Sequence, residues 1–132
     1  MARSILSVNS KAETFYDLDL LAFLLYMLKV VDEKNPYYAG LEPQRKQWEI
    51  SVATFAPGTI DIDLDEINSA PLIRELFVSL VSEIIGQLET LQSPISAEFL
   101  NAKIANDGIR FQAVNPKKIA IVGKKIISLL VN

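Results

Sequence analysis

Three aspartates alternate with apolar residues at Asp61, Asp63 and Asp65, and alternating carboxylates of this kind open the calcium-binding loop of EF-hands. Such a loop also requires a glycine at its sixth position and a glutamate at its twelfth. Counting from Asp61, those positions hold Glu66 and Leu72. The carboxylates fit better as the solvent-facing side of an edge strand, where charge discourages aggregation. We therefore expect no metal at this segment.

The side chains that most often serve as general base or thiolate nucleophile are missing, because the sequence contains neither histidine nor cysteine. The five glycines form no phosphate-binding loop, and no G-x-S-x-G nucleophile motif is present. A pair of carboxylates is sufficient for some hydrolases. A small carboxylate-based enzyme or small-ligand-binding protein therefore stays open as an alternative, but we predict no catalytic residue and no cofactor.

Four lysines near the C-terminal end form two pairs that lie seven residues apart, on nearly the same side of a helix. They are Lys117, Lys118, Lys124 and Lys125. Such a face could contact a nucleic-acid backbone or an acidic lipid surface. However, neither an arginine nor an aromatic residue follows Phe111 to stack on bases, and the net charge of the chain is −3. We expect these lysines to pair with acidic side chains of the same chain or of a second copy, and we predict no nucleic-acid partner.

Residues 35–48 contain the residue types that contribute most to protein interfaces. Tyr37, Tyr38 and Arg45 lie in this segment, and its two prolines and one glycine predict a loop. Because loops often carry binding residues, we take these three as candidate partner-binding residues, which requires that they be exposed. The alternative is that the tyrosines cover the first helix. Trp48 is expected to be the first inward-facing residue of a strand.

Two segments are too apolar for the size of the chain. Residues 20–28 are nine consecutive apolar residues, and in residues 72–91 the polar positions form only a narrow stripe. A helix that is apolar nearly all round must be covered on nearly all sides. This surplus predicts self-association, most simply as a homodimer, through these two helices. Ser79, Ser82 and Gly86 lie along the polar stripe, where small side chains would let a second helix approach.

Local patterns predict an α+β fold in one domain over residues 1–132, in the order α-β-β-α-α-β-α. Helices are predicted over residues 10–33, 69–91, 96–105 and 116–131, the first starting at a capping box formed by Ser10 and Glu13. Strands are predicted over residues 48–55, 60–65 and 109–113, and Pro57-Gly58 would join the first two in a hairpin. The expected architecture is a small antiparallel three-stranded sheet packed against about four helices.

These patterns together indicate a non-catalytic protein-interaction module that self-associates and binds a partner that the sequence does not identify. The lack of cysteine favours a reducing compartment, and no signal peptide is recognisable, so we expect a cytoplasmic protein. We expect no membrane segment, because a spanning helix needs about 20 consecutive apolar residues. The longest apolar run is shorter and is flanked by Asp19 and Lys29.

Overall fold

The computed structural model describes residues 2–104 and 111–131, which form a two-stranded antiparallel sheet and six α-helices. The α+β class is confirmed, whereas the predicted numbers of strands and helices are wrong. The elements are β1 (Arg3–Val8), β2 (Lys11–Tyr16), α1 (Asp17–Glu33), a 3-10 turn (Ala39–Leu41), α2 (Glu42–Ala53), α3 (Leu64–Ser69), α4 (Pro71–Thr90), α5 (Ala97–Asn101) and α6 (Pro116–Leu130). Their buried apolar side chains form one continuous core.

A β-hairpin stands where the sequence predicted the first turns of a helix. Val8 pairs with Lys11, which leaves Asn9 and Ser10 as a two-residue turn. Both turn residues have positive φ angles, 54° and 64°, the conformation whose twist matches that of paired strands. The capping-box interpretation of Ser10 is therefore wrong. Alternate residues of β1, including Leu6 and Val8, are buried, and this period of two favours a strand over a helix.

Helix α1 lies at the centre of the core. It contacts β2, α2, α4 and α6, and every residue from 20 to 28 is buried. The apolar surface that predicted a dimer through this helix is thus covered within one chain. Leu25, in the middle of this apolar run, is 3% exposed and so offers no contact to a second copy. The reason for self-association through α1 is removed, while self-association as such stays a prediction.

The strand predicted over residues 48–55 is wrong, since these residues form the second half of α2 and the turn after it. Trp48, Val52 and Phe55 are buried and follow one another at spacings of four and three, the period of a helix. Ile50, which a strand would place on the same face as Trp48, is 62% exposed. The β-branched and aromatic composition suggested a strand, but the burial of Trp48 and Val52 on one side of α2 outweighs that preference.

The segment after the Pro57-Gly58 turn alternates as predicted but pairs with no strand in the described residues. Its apolar residues are buried and its aspartates are exposed up to Leu64, where α3 begins. Asp63 caps this helix, because its side chain accepts a hydrogen bond from the Glu66 N–H at 3.1 Å. The predicted hairpin across residues 57–58 is therefore wrong, although the turn is present.

The later helices agree better with the sequence. Helix α4 is present with nearly the predicted bounds, and Pro71 occupies its first turn, where a missing N–H costs no hydrogen bond. Helix α5 follows a cap by Ser96 and is shorter than expected. Helix α6 buries the predicted apolar side: Ile119, Val122, Ile126 and Leu129.

The third predicted strand, residues 109–113, lies partly outside the described residues. Its described part, residues 111–113, is not a strand. Next to it, Val114 forms an isolated antiparallel bridge with Ile95. This bridge connects the segment before α6 with the segment before α5.

A buried carboxylate connects the hairpin, α1 and the loop that precedes α3. Asp17, the first residue of α1, accepts hydrogen bonds from the Ser4 hydroxyl at 2.5 Å and from the Gly58 N–H at 2.6 Å. Ser4 Oγ in turn accepts one from the Ile60 N–H at 3.2 Å. The φ angle of Gly58 is 78°, which a glycine adopts without strain. The position also suits a carboxylate because a helix N-terminus carries partial positive charge.

We predict that Asp17→Ala lowers the free energy of unfolding by about 2–4 kcal/mol, because the buried Ser4 hydroxyl and the Gly58 N–H lose their acceptor. Asp19→Ala is the control, since it removes a carboxylate from the same helical turn. Asp19 pairs at 3.4 Å with the exposed Lys118, so its loss should cost about 1 kcal/mol or less. Urea denaturation measures both, and equal losses would contradict the role assigned to Asp17.

Helix α6 approaches α1 and α4 closely at Gly123. A Cβ atom at this position would lie 2.8 Å from Ile85 Cγ1 and 2.8 Å from Phe23 Cε2. Gly86 of α4 is the opposite case: it is exposed, and a Cβ there would meet nothing within 4 Å. The stripe of small residues around Gly86 is therefore open surface in this chain.

We predict opposite effects for alanine at these two glycines. Gly123→Ala should lower the free energy of unfolding by about 1–2 kcal/mol net, because overpacking costs more than the gain in helix propensity. Gly86→Ala should raise it by up to about 1 kcal/mol, because only the propensity changes. Chemical denaturation compares the two, and stabilisation by Gly123→Ala would show that α6 can move away at no cost.

Candidate functional site

The three predicted partner-binding residues differ sharply in exposure. Tyr37 is 65% exposed, whereas Tyr38 is 1% exposed. The Tyr38 hydroxyl donates a hydrogen bond to Glu83 Oε1 at 2.8 Å. Burial is the main cause that raises the pKa of Tyr38 to about 12, and this hydrogen bond raises it further. The expected exposure of Tyr38 is therefore wrong, and its ring belongs to the core. Trp48 is buried as predicted, although on a helix.

Arg45 is held by carboxylates of its own chain. Its guanidinium lies 2.8 Å from Asp32 Oδ1, 3.0 Å from Glu49 Oε1 and 3.6 Å from Glu42 Oε1. The hydrogen bond to Asp32 is the largest cause of the raised pKa of Arg45. This guanidinium joins α2 to the end of α1. Because it already contacts three carboxylates, it has little capacity left for hydrogen bonds to a partner.

A polar cavity of about 280 Å³ brings Tyr38 and Arg45 together, while Tyr37 is not part of its lining. Asp32 and Glu42, both bound to Arg45, supply its carboxylates. Since both carboxylates of the cavity contact Arg45, we assign it a stabilising role. In the described part of the chain, no group of three or more acidic residues is arranged to hold a metal ion.

A second cavity, of about 370 Å³, lies between β2 and α6 and is our candidate site; we call it the hairpin cleft. Its lining is Arg3, Thr14, Phe15, Tyr16, Asp19, Lys118, Ile121, Val122 and Lys125. Phe15 and Val122 are buried and form an apolar floor, whereas Tyr16 and Ile121 at the rim are 42% and 55% exposed. Large apolar side chains and cations therefore stand side by side in contact with solvent.

Arg3 covers the aromatic rim of the hairpin cleft. Its guanidinium carbon lies 4.9 Å from the centre of the Tyr16 ring, and Nη2 donates a hydrogen bond to the Tyr16 hydroxyl at 3.2 Å. The strand register explains this contact, because Arg3 and Tyr16 are cross-strand partners. Ile5, which faces Thr14 across the same strands and is strongly exposed, extends the apolar surface beyond the cleft.

Three of the four lysines of α6 pair with acidic residues of the same chain, as the sequence predicted. Lys118 Nζ lies 3.4 Å from Asp19 Oδ1, and Lys124 Nζ lies 2.9 Å from Glu89 Oε2. Lys125 is the most engaged, because it lies 3.5 Å from Glu13 Oε2, donates to the Thr14 carbonyl and sits 4.4 Å above the Phe15 ring. Lys118 is therefore the more available cation of the cleft.

The sequence analysis missed Arg3, Tyr16 and Ile121 as site residues. The alternation of residues 3–8, followed by Asn9 with a polar neighbour, was a usable hairpin signal that would have placed Arg3 opposite Tyr16. For Ile121, the sequence showed only that this residue lies outside the apolar side of α6. Its position beside the hairpin depends on how α6 crosses the core, which local patterns do not contain.

No family model, no curated protein and no solved structure matches this chain. Among the described residues, no helix is long and apolar enough to cross a membrane. The functional argument therefore rests on the geometry of the hairpin cleft.

We predict that alanine substitution affects the free energy of unfolding very differently at the two neighbouring tyrosines. Tyr38→Ala should lower the free energy of unfolding by about 3–5 kcal/mol, the cost of removing a buried large aromatic side chain. Tyr37→Ala should cost about 1 kcal/mol or less, because the loss is limited to an edge contact with Tyr38, at 4.7 Å between ring centres. Urea denaturation measures both; a small loss for Tyr38→Ala would restore it as a candidate contact residue.

We also predict that the aspartate segment binds no structural metal. Asp63 is used as a helix cap, and the raised pKa of Asp61 reflects partial desolvation of its carboxylate at the protein surface and then the charge of Asp63. Thermal melts in excess calcium, magnesium or manganese should coincide with melts in chelator. A metal present at 100 times its dissociation constant would add about 2.7 kcal/mol, so a rise that Asp61→Asn abolishes would reveal a site.

Proposed function

We propose that this chain is a non-catalytic protein-interaction module whose binding surface is the hairpin cleft. The observation that supports this most directly is the joint exposure of Tyr16 and Ile121 over an apolar floor, beside Arg3 and Lys118. Aromatic residues and arginine are enriched at the energetic centres of interfaces. A concave apolar patch with a polar rim has the composition of such a centre.

The alternative, a small carboxylate-based enzyme, has less support. Acid-base chemistry by carboxylates needs two of them near one reacting group. The lining of the hairpin cleft contains a single carboxylate, Asp19, which is paired with Lys118. In the polar cavity, Asp32 and Glu42 both point to Arg45. Neither arrangement leaves a free pair of carboxylates.

A different partner fits the cleft better than a second copy of the chain. In a twofold dimer the same patch meets itself, so the positively charged cleft would face a second cleft of the same charge, and like charges at an interface are unfavourable. The burial of α1 also removes one of the two apolar surfaces that favoured a helical dimer. We further propose a cytoplasmic setting, supported by the absence of cysteine.

We predict that a photoreactive amino acid at residue 121 forms a discrete crosslink in the cells that produce the protein. The same group in place of Ile50, which is equally exposed but lies on α2 outside the cleft, should not. Gel electrophoresis and mass spectrometry identify the adduct. Adducts of equal yield and identity at both positions would contradict a binding role of the cleft, and an adduct of two 14.7 kDa chains would instead show self-association.

A further inference from the structure

We propose that the occupant of the hairpin cleft is an acidic peptide segment that carries one large apolar side chain. This inference rests on the proposed function, because it specifies the chemistry of the partner at the same surface. Two properties of the cleft support it: an excess of positive charge around the opening and a recessed apolar floor.

The charge of the cleft is opposite to that of the whole chain. Its lining contains Arg3, Lys118 and Lys125 against the single carboxylate of Asp19, while the net charge of the chain is −3. Glu13, which pairs with Lys125 at 3.5 Å, offsets part of this excess. The cleft therefore attracts an acidic segment, although the chain as a whole carries a net negative charge.

Arg3 and Lys118 are the two cations placed to bind carboxylates of the partner. The hydrogen bond from Arg3 to the Tyr16 hydroxyl uses one edge of the guanidinium, and a planar guanidinium can bind a carboxylate through two parallel hydrogen bonds. The Lys118 side chain is 58% exposed, and its contact with Asp19 at 3.4 Å is loose. A partner carboxylate can share or replace that contact.

The apolar floor indicates that the occupant carries an apolar side chain in addition to negative charge. Phe15 and Val122 lie at the bottom of a cavity of about 370 Å³, near the lower end of the roughly 300–1,000 Å³ typical of ligand pockets. This volume suits one large side chain. The apolar surface continues outward over Ile121 and towards Ile5, so an extended segment would cover more of it than a small molecule would.

Other macromolecular occupants fit less well. A nucleic-acid backbone presents phosphates to the cations but carries no apolar side chain to fill the recessed floor. A lipid surface is flat on this scale and would leave the recessed floor unfilled. A second copy would oppose like charges across the twofold axis.

The probe is a fluorescein-labelled peptide with one central phenylalanine and three glutamates on either side, measured by fluorescence anisotropy. We expect binding with a Kd of about 0.1–1 mM, since one short segment buries little surface. Two matched peptides, one with serine for phenylalanine and one with lysine for glutamate, should bind at least about tenfold more weakly. Binding should also weaken as ionic strength rises, because the cations are exposed.

Matched variants localise the binding. Lys118→Gln should weaken binding of the acidic peptide roughly two- to fivefold, as for the loss of one exposed ion pair. Lys117→Gln, outside the lining of the cleft, should leave binding unchanged. Ile121→Ser should weaken it further, and Ile50→Ser should have no effect. If Lys118→Gln fails to fold, Arg3→Gln replaces it. Equal effects within either pair would overturn the proposal.

Three outcomes contradict the acidic-peptide chemistry: no binding up to 1 mM peptide, equal binding of the basic peptide, or binding only to vesicles of phosphatidylserine and phosphatidylcholine. If such a result is found while the crosslink at residue 121 persists in cells, the proposed function stands and only the partner chemistry is wrong. Peptide binding without any cellular crosslink supports the chemistry of the cleft and contradicts its proposed use.

Discussion

The burial of α1 on all of its sides is the constraint that the rest of the structure satisfies. An apolar run from residue 20 to residue 28 cannot face water, so β2, α2, α4 and α6 each cover one side of it. Asp17 fixes where this helix begins, because its carboxylate joins the helix to Ser4 and Gly58. The hairpin, the central helix and the loop before α3 are thus held at one point by hydrogen bonds to one buried carboxylate.

The hairpin cleft is a consequence of how α6 packs against the other elements. Helix α6 must lie against α1 and α4, and it comes closest at Gly123, where a side chain would not fit. It also runs beside β2, whose outer face carries Thr14 and Tyr16 in register with β1. The buried side of α6 is used by the core, so Ile121 on the other side is left beside the hairpin. The cleft is the space between two elements that are each fixed by contacts elsewhere.

The sequence predicted those elements in which one pattern dominates. Helices α4 and α6 have long periodic apolar faces and a proline in the first turn, and both are present. The alternation after residue 58 was also real, but alternate burial describes which side chains face the core and does not require a strand partner. Two short signals misled the prediction. The Ser10 spacing matched a helix cap, and the β-branched composition of residues 48–55 matched a strand, while in each case the burial pattern of the neighbouring residues decides the structure.

The site was harder to predict than the fold because residue type does not show whether a charge is already used. Arg45 looked like a binding residue, yet three carboxylates from its own chain surround it, and releasing it would cost several contacts at once. Lys118 was one of four lysines expected to pair with acidic side chains, and its single pair, with Asp19 at 3.4 Å, leaves the lysine side chain 58% exposed. An incoming carboxylate can therefore reach Lys118 while Asp19 stays in place. The cation that is still accessible, rather than the one with the most partners, is the better candidate for binding.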